Sequence, residues 1–179
     1  GQACQSIERV YVHQSIADQF IESLADQASK VTLNYPDVRE GHIGPLIFDK
    51  QADIIADHLN DAKEKGATIM TGGEIENHGG GKWVKPTVIK DVDHSMKVMT
   101  DETFGPVIPV MTYEKIEDAI ELANDTIYGL SAAVLGGSHE ESSNIAKHID
   151  AGAVTVQDCG ATTYVFDGEK NWFKYSGIG

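Results

Sequence analysis

Arg9-Val10-Tyr11-Val12-His13, running directly into Gln14-Ser15-Ile16-Ala17-Asp18-Gln19-Phe20-Ile21, is the stretch on which the fold turns. β-Branched and aromatic residues crowd the first five positions, which is the composition of a strand. Apolar residues then return at Ile16, Ala17, Phe20, Ile21, Leu24 and Ala28, the spacing of an amphipathic helix over 16–29. Ser15 is the expected cap, with Asp18 as its capping-box partner. A strand that feeds a helix at once is the opening of an α/β fold.

The alternation continues outward from there. Residues 30–47 are irregular, broken by Pro36, Gly41, Gly44 and Pro45, and Asp49 then caps a second helix to about Lys65 with Ile54, Ile55, Leu59 and Ala62 inward and Gly66 as the stop. A short strand is expected over 67–70, a glycine-rich loop over 72–82, and strands over 86–89 and 107–111 around a polar connection. A helix over 115–124 buries Ile116, Ala119, Ile120 and Ala123; a strand follows over 130–135, a helix capped by Ser138 over 139–149 and a last strand over 153–156. The expectation is one α/β domain over 1–156, a three-layer sandwich of a mostly parallel sheet with helices on both faces. Residues 157–179 hold an apolar and aromatic cluster (Tyr164, Phe166, Trp172, Phe173, Tyr175) among glycines and read as a loop segment that needs a partner surface.

Composition narrows the partners. The 179 residues carry 14 Lys and Arg against 28 Asp and Glu, a net charge of −14. A phosphate backbone is bound by clustered cations, so nucleic acid is not expected, nor an anionic membrane surface. The uncharged stretch from Ile127 to Ser138 is interrupted by three glycines and too short for a bilayer. Two cysteines suit a reducing, cytoplasmic compartment. The chain opens at Gly1-Gln2-Ala3-Cys4 without a methionine and enters a strand almost at once, so a longer parent protein is expected.

Few residues offer chemistry. The seven histidines show no metal-ligand spacing, and no metal is expected. Gly79-Gly80-Gly81-Lys82 resembles a phosphate loop only superficially, because Glu76 and Trp83 stand where that motif needs Gly and Ser or Thr. Cys4 lies just before a strand between small neighbours, placed either for packing or as a nucleophile whose backbone N–H faces a reacting oxygen. Asp101-Glu102-Thr103-Phe104-Gly105-Pro106 is either an acidic turn or a carboxylate that accepts from a ligand's vicinal hydroxyls beside an aromatic face.

Gly1-Gln2-Ala3-Cys4 with Glu8-Arg9-Val10-Tyr11-Val12 resembles the cysteine-bearing segment of the aldehyde dehydrogenase superfamily. Further matches follow in that family's order: Ile43-Gly44-Pro45-Leu46; Gly66-Ala67 leading to Gly72-Gly73; Lys85-Pro86-Thr87-Val88; Asp101 through Val107; Ala123-Asn124-Asp125-Thr126 with Tyr128-Gly129-Leu130; Ala151-Gly152-Ala153-Val154; and Ser176-Gly177-Ile178-Gly179. The resemblance implies the catalytic domain of an enzyme that oxidises an aldehyde with NAD or NADP through a thiohemiacetal and a thioester on Cys4. By the same match the Cys4 N–H forms half an oxyanion hole, Glu102 holds the nicotinamide ribose hydroxyls, and Phe104 packs near the nicotinamide.

The family's general-base glutamate, its oxyanion-hole asparagine, its dinucleotide-binding domain and its bridging strands are expected upstream or flanking. An isolated stretch of this kind is then expected to be inactive alone and to self-associate, and the parent to be a homo-oligomer. Gln157 stands where the family usually places Asn, and residues 167–174 replace its usual turn, which leaves substrate identity open; Cys159, Tyr164 and Phe166 are candidates to line that side. Two alternatives remain within the enzyme class: acyl transfer to coenzyme A, and a nicotinamide-independent thiol esterase. A non-catalytic assembly module that pairs through strand 153–156 is a third.

Overall fold

A computed structural model of the chain describes residues 1–161 and 171–177. The chain divides into two compact units, Gly1–Tyr113 and Glu114–Gly179, and the division falls inside the 1–156 span read above as one domain.

The first unit runs β1 (Val10–His13), α1 (Gln14–Ser29), α2 (Lys50–Glu64), β2 (Thr68–Thr71), β3 (Ile75–His78), β4 (Gly81–Val84), β5 (Thr87–Lys90), α3 (Lys97–Thr100) and β6 (Val107–Tyr113). Its main sheet has the order β1-β6-β5-β2. β6 lies parallel to both β1 and β5, and β2 closes the other side antiparallel to β5. Pro109, which has no N–H for a ladder, sits at the handover on β6: residues 107–109 pair with β5, and 110–113 pair with β1.

Side chains alternate across this sheet with the period of two that a strand imposes. Val12, Val88 and Val110 meet Ala17, Ile21, Ala25 and Ala28 of α1 on one face. Ile89 and Val107, with Tyr11 and Met111, meet Ala52, Ile55, Leu59 and Ala62 of α2 on the other. This is the expected α/β/α layering. The expected polar connection between β5 and β6 also contributes to the core, because Val92, Met96, Val98 and Met99 are all buried.

Several local expectations need correction: Asp49 makes no side-chain capping bond to α2, and Ile54, expected inward, is exposed. His13 rather than Ser15 caps α1: its Nδ1 accepts from the Ser15 N–H at 3.2 Å, and Ile16 and Phe20 face solvent. The loop expected over 72–82 contains a hairpin, β3 antiparallel to β4, turned by Gly79 and Gly80 at φ 57° and 82°. Two left-handed residues in a two-residue turn match the twist of the flanking strands.

The second unit runs α4 (Ile116–Asn124), β7 (Tyr128–Gly129), β8 (Ser131–Val134), α5 (His139–Ala146), β9 (Ala153–Val156) and β10 (Phe173–Lys174). β8 and β9 pair in parallel, and Ser138 caps α5 as expected, its Oγ accepting from the Glu141 N–H at 3.1 Å. Residues 173–174, expected in a loop, pair antiparallel with β7. Tyr164, Phe166 and residues 167–170 lie outside the described residues.

Ile55 has no exposed surface and packs beneath Gly105. Ile55→Ala is expected to lower the unfolding free energy by about 2–5 kcal/mol in urea titration; a loss below about 1 kcal/mol would contradict this core.

Candidate active site

β1 and β6 are parallel neighbours, so the segments that precede them arrive at the same end of the sheet. One is residues 1–9, with Cys4; the other is the turn 101–106. Each is tied down by contacts the sequence does not announce.

Residues 3–6 form a turn closed by the Ser6 N–H donating to the Ala3 carbonyl at 2.8 Å. Upstream, the Gln2 amide donates to the Pro45 carbonyl at 3.1 Å and accepts from the Ile47 N–H at 2.8 Å. Gly1 lies so close to the other turn that a Cβ there would stand 2.2 Å from the Gly105 carbonyl oxygen. Cys4 itself is exposed and carries a free thiol. Its backbone N–H makes no hydrogen bond among the described residues.

Glu8 joins the two segments. Its Oε2 accepts from the Thr103 N–H at 3.1 Å and its Oε1 from the Phe104 N–H at 3.2 Å. Burial raises the Glu8 carboxyl above its ordinary value; the two amide bonds oppose that rise and the nearby Glu102 carboxylate adds to it. Thr103 is 2% exposed. Its carbonyl accepts from Gln51 Nε2 at 2.6 Å and its hydroxyl bonds His58 Nδ1 at 3.0 Å, so three side chains hold its three polar groups. Phe104 takes the left-handed φ of 48° and is half-buried. Glu102 is exposed, and its carboxylate makes no hydrogen bond or ion pair among the described residues.

His58 lies in the core beneath this turn. Its Nε2 stands 4.0 Å from Asp101 Oδ2, close enough for an ion pair only if the ring is protonated. Burial pulls its pKa below the ordinary value, and Asp101 and Asp57 only partly offset that. The ring is therefore neutral at neutral pH, and its link to the turn is the bond to Thr103.

Three of the six residues singled out in the sequence, Cys4, Glu102 and Phe104, thus belong to two segments that touch. Cys159 is an exposed free thiol in the second unit, and Tyr164 and Phe166 fall outside the described residues. Glu8, His58, Thr103 and Gln51 had no role assigned. Glu8 could have been found as the sole acidic residue before Asp18, set directly against an apolar strand. The exposed Glu102 carboxylate, without a hydrogen bond or ion pair among the described residues, is an acceptor of the kind sugar hydroxyls require, and the half-buried Phe104 follows two residues later. No group of three potential metal ligands occurs among the described residues, and no helix there is long and apolar enough to cross a membrane.

The family model described as "Aldehyde dehydrogenase family" matches residues 1–179. Peroxisomal aminoaldehyde dehydrogenase 1 of Pisum sativum is 37% identical over 183 residues, covering 100% of this chain and 35% of the relative. The structure of PutA from Anabaena variabilis superposes with a TM-score of 0.97 at 52% identity, covering 99% of this chain and 38% of that one. Betaine aldehyde dehydrogenase from Staphylococcus aureus, solved in complex with NAD+, gives a TM-score of 0.87 at 33% identity over 99% of this chain and 36% of that one. The chain spans about a third of the length of the curated relatives it matches.

Below the ordinary imidazole value of 6.5 the unfolded chain binds a proton that folded His58 refuses. Unfolding then takes up a proton, and stability falls as the pH drops. Urea titrations between about pH 7.5 and pH 5.5 are expected to show this decline, and His58→Asn is expected to flatten it; an equal slope in both proteins would contradict a neutral buried His58.

Proposed function

The chain belongs to the aldehyde dehydrogenase family, and on that premise we propose that the whole protein oxidises an aldehyde to a carboxylic acid with NAD or NADP, using Cys4 as the nucleophile. One observation carries this reading: the free thiol of Cys4 and the Glu102–Phe104 pair lie on segments joined at both Gly1 and Glu8.

The exposed Cys4 sulfur, as thiolate, adds to the aldehyde carbon and forms a thiohemiacetal. The uncommitted Cys4 N–H is free to donate to the oxygen as negative charge develops there, a contribution of about 2.7–4 kcal/mol for one such donor. The dinucleotide, when bound, accepts the hydride that leaves the same carbon. Cys4 then holds the acyl group as a thioester until water releases the acid and restores the thiol. Glu102 accepts from the ribose hydroxyls, and Phe104 flanks the nicotinamide ring. The missing acid–base groups and the rest of the dinucleotide site are assigned to residues beyond this stretch, in line with relatives about three times as long. Assembly as a homo-oligomer and a cytoplasmic location belong to the same proposal.

In the whole protein, Cys4→Ala is expected to lower aldehyde-dependent NAD(P)H formation at least about a thousandfold, and Glu102→Gln to raise the dinucleotide KM roughly tenfold. Full turnover by Cys4→Ala, or Cys4-dependent ester cleavage indifferent to NAD and NADP, would overturn the proposal.

A further inference from the structure

The Thr103 and Phe104 amides that Glu8 holds are consecutive in the chain, and Phe104 is left-handed. Successive N–H groups in such a turn converge into a concavity that suits an anion. Here the occupant is a side chain of the same chain, four residues after the thiol. The remaining anchors of Thr103, Gln51 and His58, both come from α2. They fix the turn to the helix layer, and among the described residues neither hydrogen-bonds the segment that carries Cys4.

The choice of residue is not explained by stability. Burial works against the Glu8 carboxylate and outweighs the amide bonds that favour it. A charged group kept in a place that penalises its charge needs another reason, and the geometry supplies one. Of the hydrogen bonds and close backbone approaches that hold the turn among the described residues, only those of Glu8 and the approach of Gly1 to Gly105 come from the Cys4 segment. Of these, only Glu8 reaches the residues beside Glu102.

We infer that Glu8 is a positioning residue that sets the placement of Glu102 and Phe104 relative to the Cys4 thiol by holding the Thr103 and Phe104 amides. The inference rests on the proposed dinucleotide role of Glu102 and Phe104. Glu8 touches neither substrate nor coenzyme; it acts through the turn.

The test is Glu8→Gln in the whole protein, which keeps the side-chain length but leaves one of the two amides without an acceptor. The dinucleotide KM is expected to rise about tenfold while kcat stays within about threefold, and the Cys4 alkylation rate is expected to be unchanged. Glu8→Asp, which keeps the charge but draws it back by one methylene, is expected to shift the KM in the same direction; if Glu8→Gln fails to fold, the same split read on Glu8→Asp decides. A lowered stability with an unchanged dinucleotide KM would overturn the inference alone and make Glu8 a structural clamp. A wild-type protein without saturable dependence on NAD or NADP would overturn both the inference and the proposed function beneath it.

Discussion

The parallel pairing of β1 with β6, in register from Val10 opposite Val110 to His13 opposite Tyr113, is the constraint on which the rest depends. Parallel neighbours point the same way, so the chain before each enters at one end of the sheet. Cys4 precedes one of these strands and Glu102 the other. The approach of the two segments is therefore a consequence of topology before any side chain makes contact. The pairing is secured by burial on both faces, α1 over Val12 and Val110, α2 over Tyr11 and Met111. Ligands of open α/β sheets usually sit beyond the carboxyl ends of the strands. Here the candidate site gathers at the amino ends, where two incoming segments meet.

Side chains then convert proximity into a fixed geometry. A left-handed conformation at a residue with a Cβ costs on the order of 1–2 kcal/mol, and Phe104 adopts it. Glu8 accepts two hydrogen bonds at that turn, at the cost of burying its carboxyl. Gln51 and His58 complete the anchoring of Thr103. The result is a buried residue with its polar groups all bonded, flanked by an exposed carboxylate and a half-exposed ring. Such a turn can present both groups to a ligand without ordering them at the moment of binding.

Much of this was legible in the sequence, for reasons particular to each element. β9 runs from Ala153 to Val156 as expected, and α2 from Lys50 to Glu64 almost so, because their apolar spacing and flanking breaks agree. The hairpin of β3 and β4 was missed because Ile75-Glu76-Asn77-His78 is largely polar, although the Gly79-Gly80 pair carried the signal for its turn. The cap of α1 was displaced because His13 offers its ring nitrogen where a hydroxyl was expected. Cys4, Glu102 and Phe104 were legible through their motifs. Glu8, His58 and Gln51 were not, since their roles arise from contacts across 45 to 96 residues of chain and no local pattern records such pairings. Gln157 takes a left-handed φ of 61°, and its amide reaches both backbone groups of Gly136, at 3.2 and 2.7 Å.

The central claim is that the thiol and the turn 102–104 share one end of the sheet. Bimane attached to Cys4 in a Cys159→Ser background, with a tryptophan introduced by Phe104→Trp or by Thr112→Trp at the far end of β6, tests it directly. The account predicts strong contact quenching from position 104 and none above background from position 112. Quenching from 112 alone, or from neither position, would contradict it.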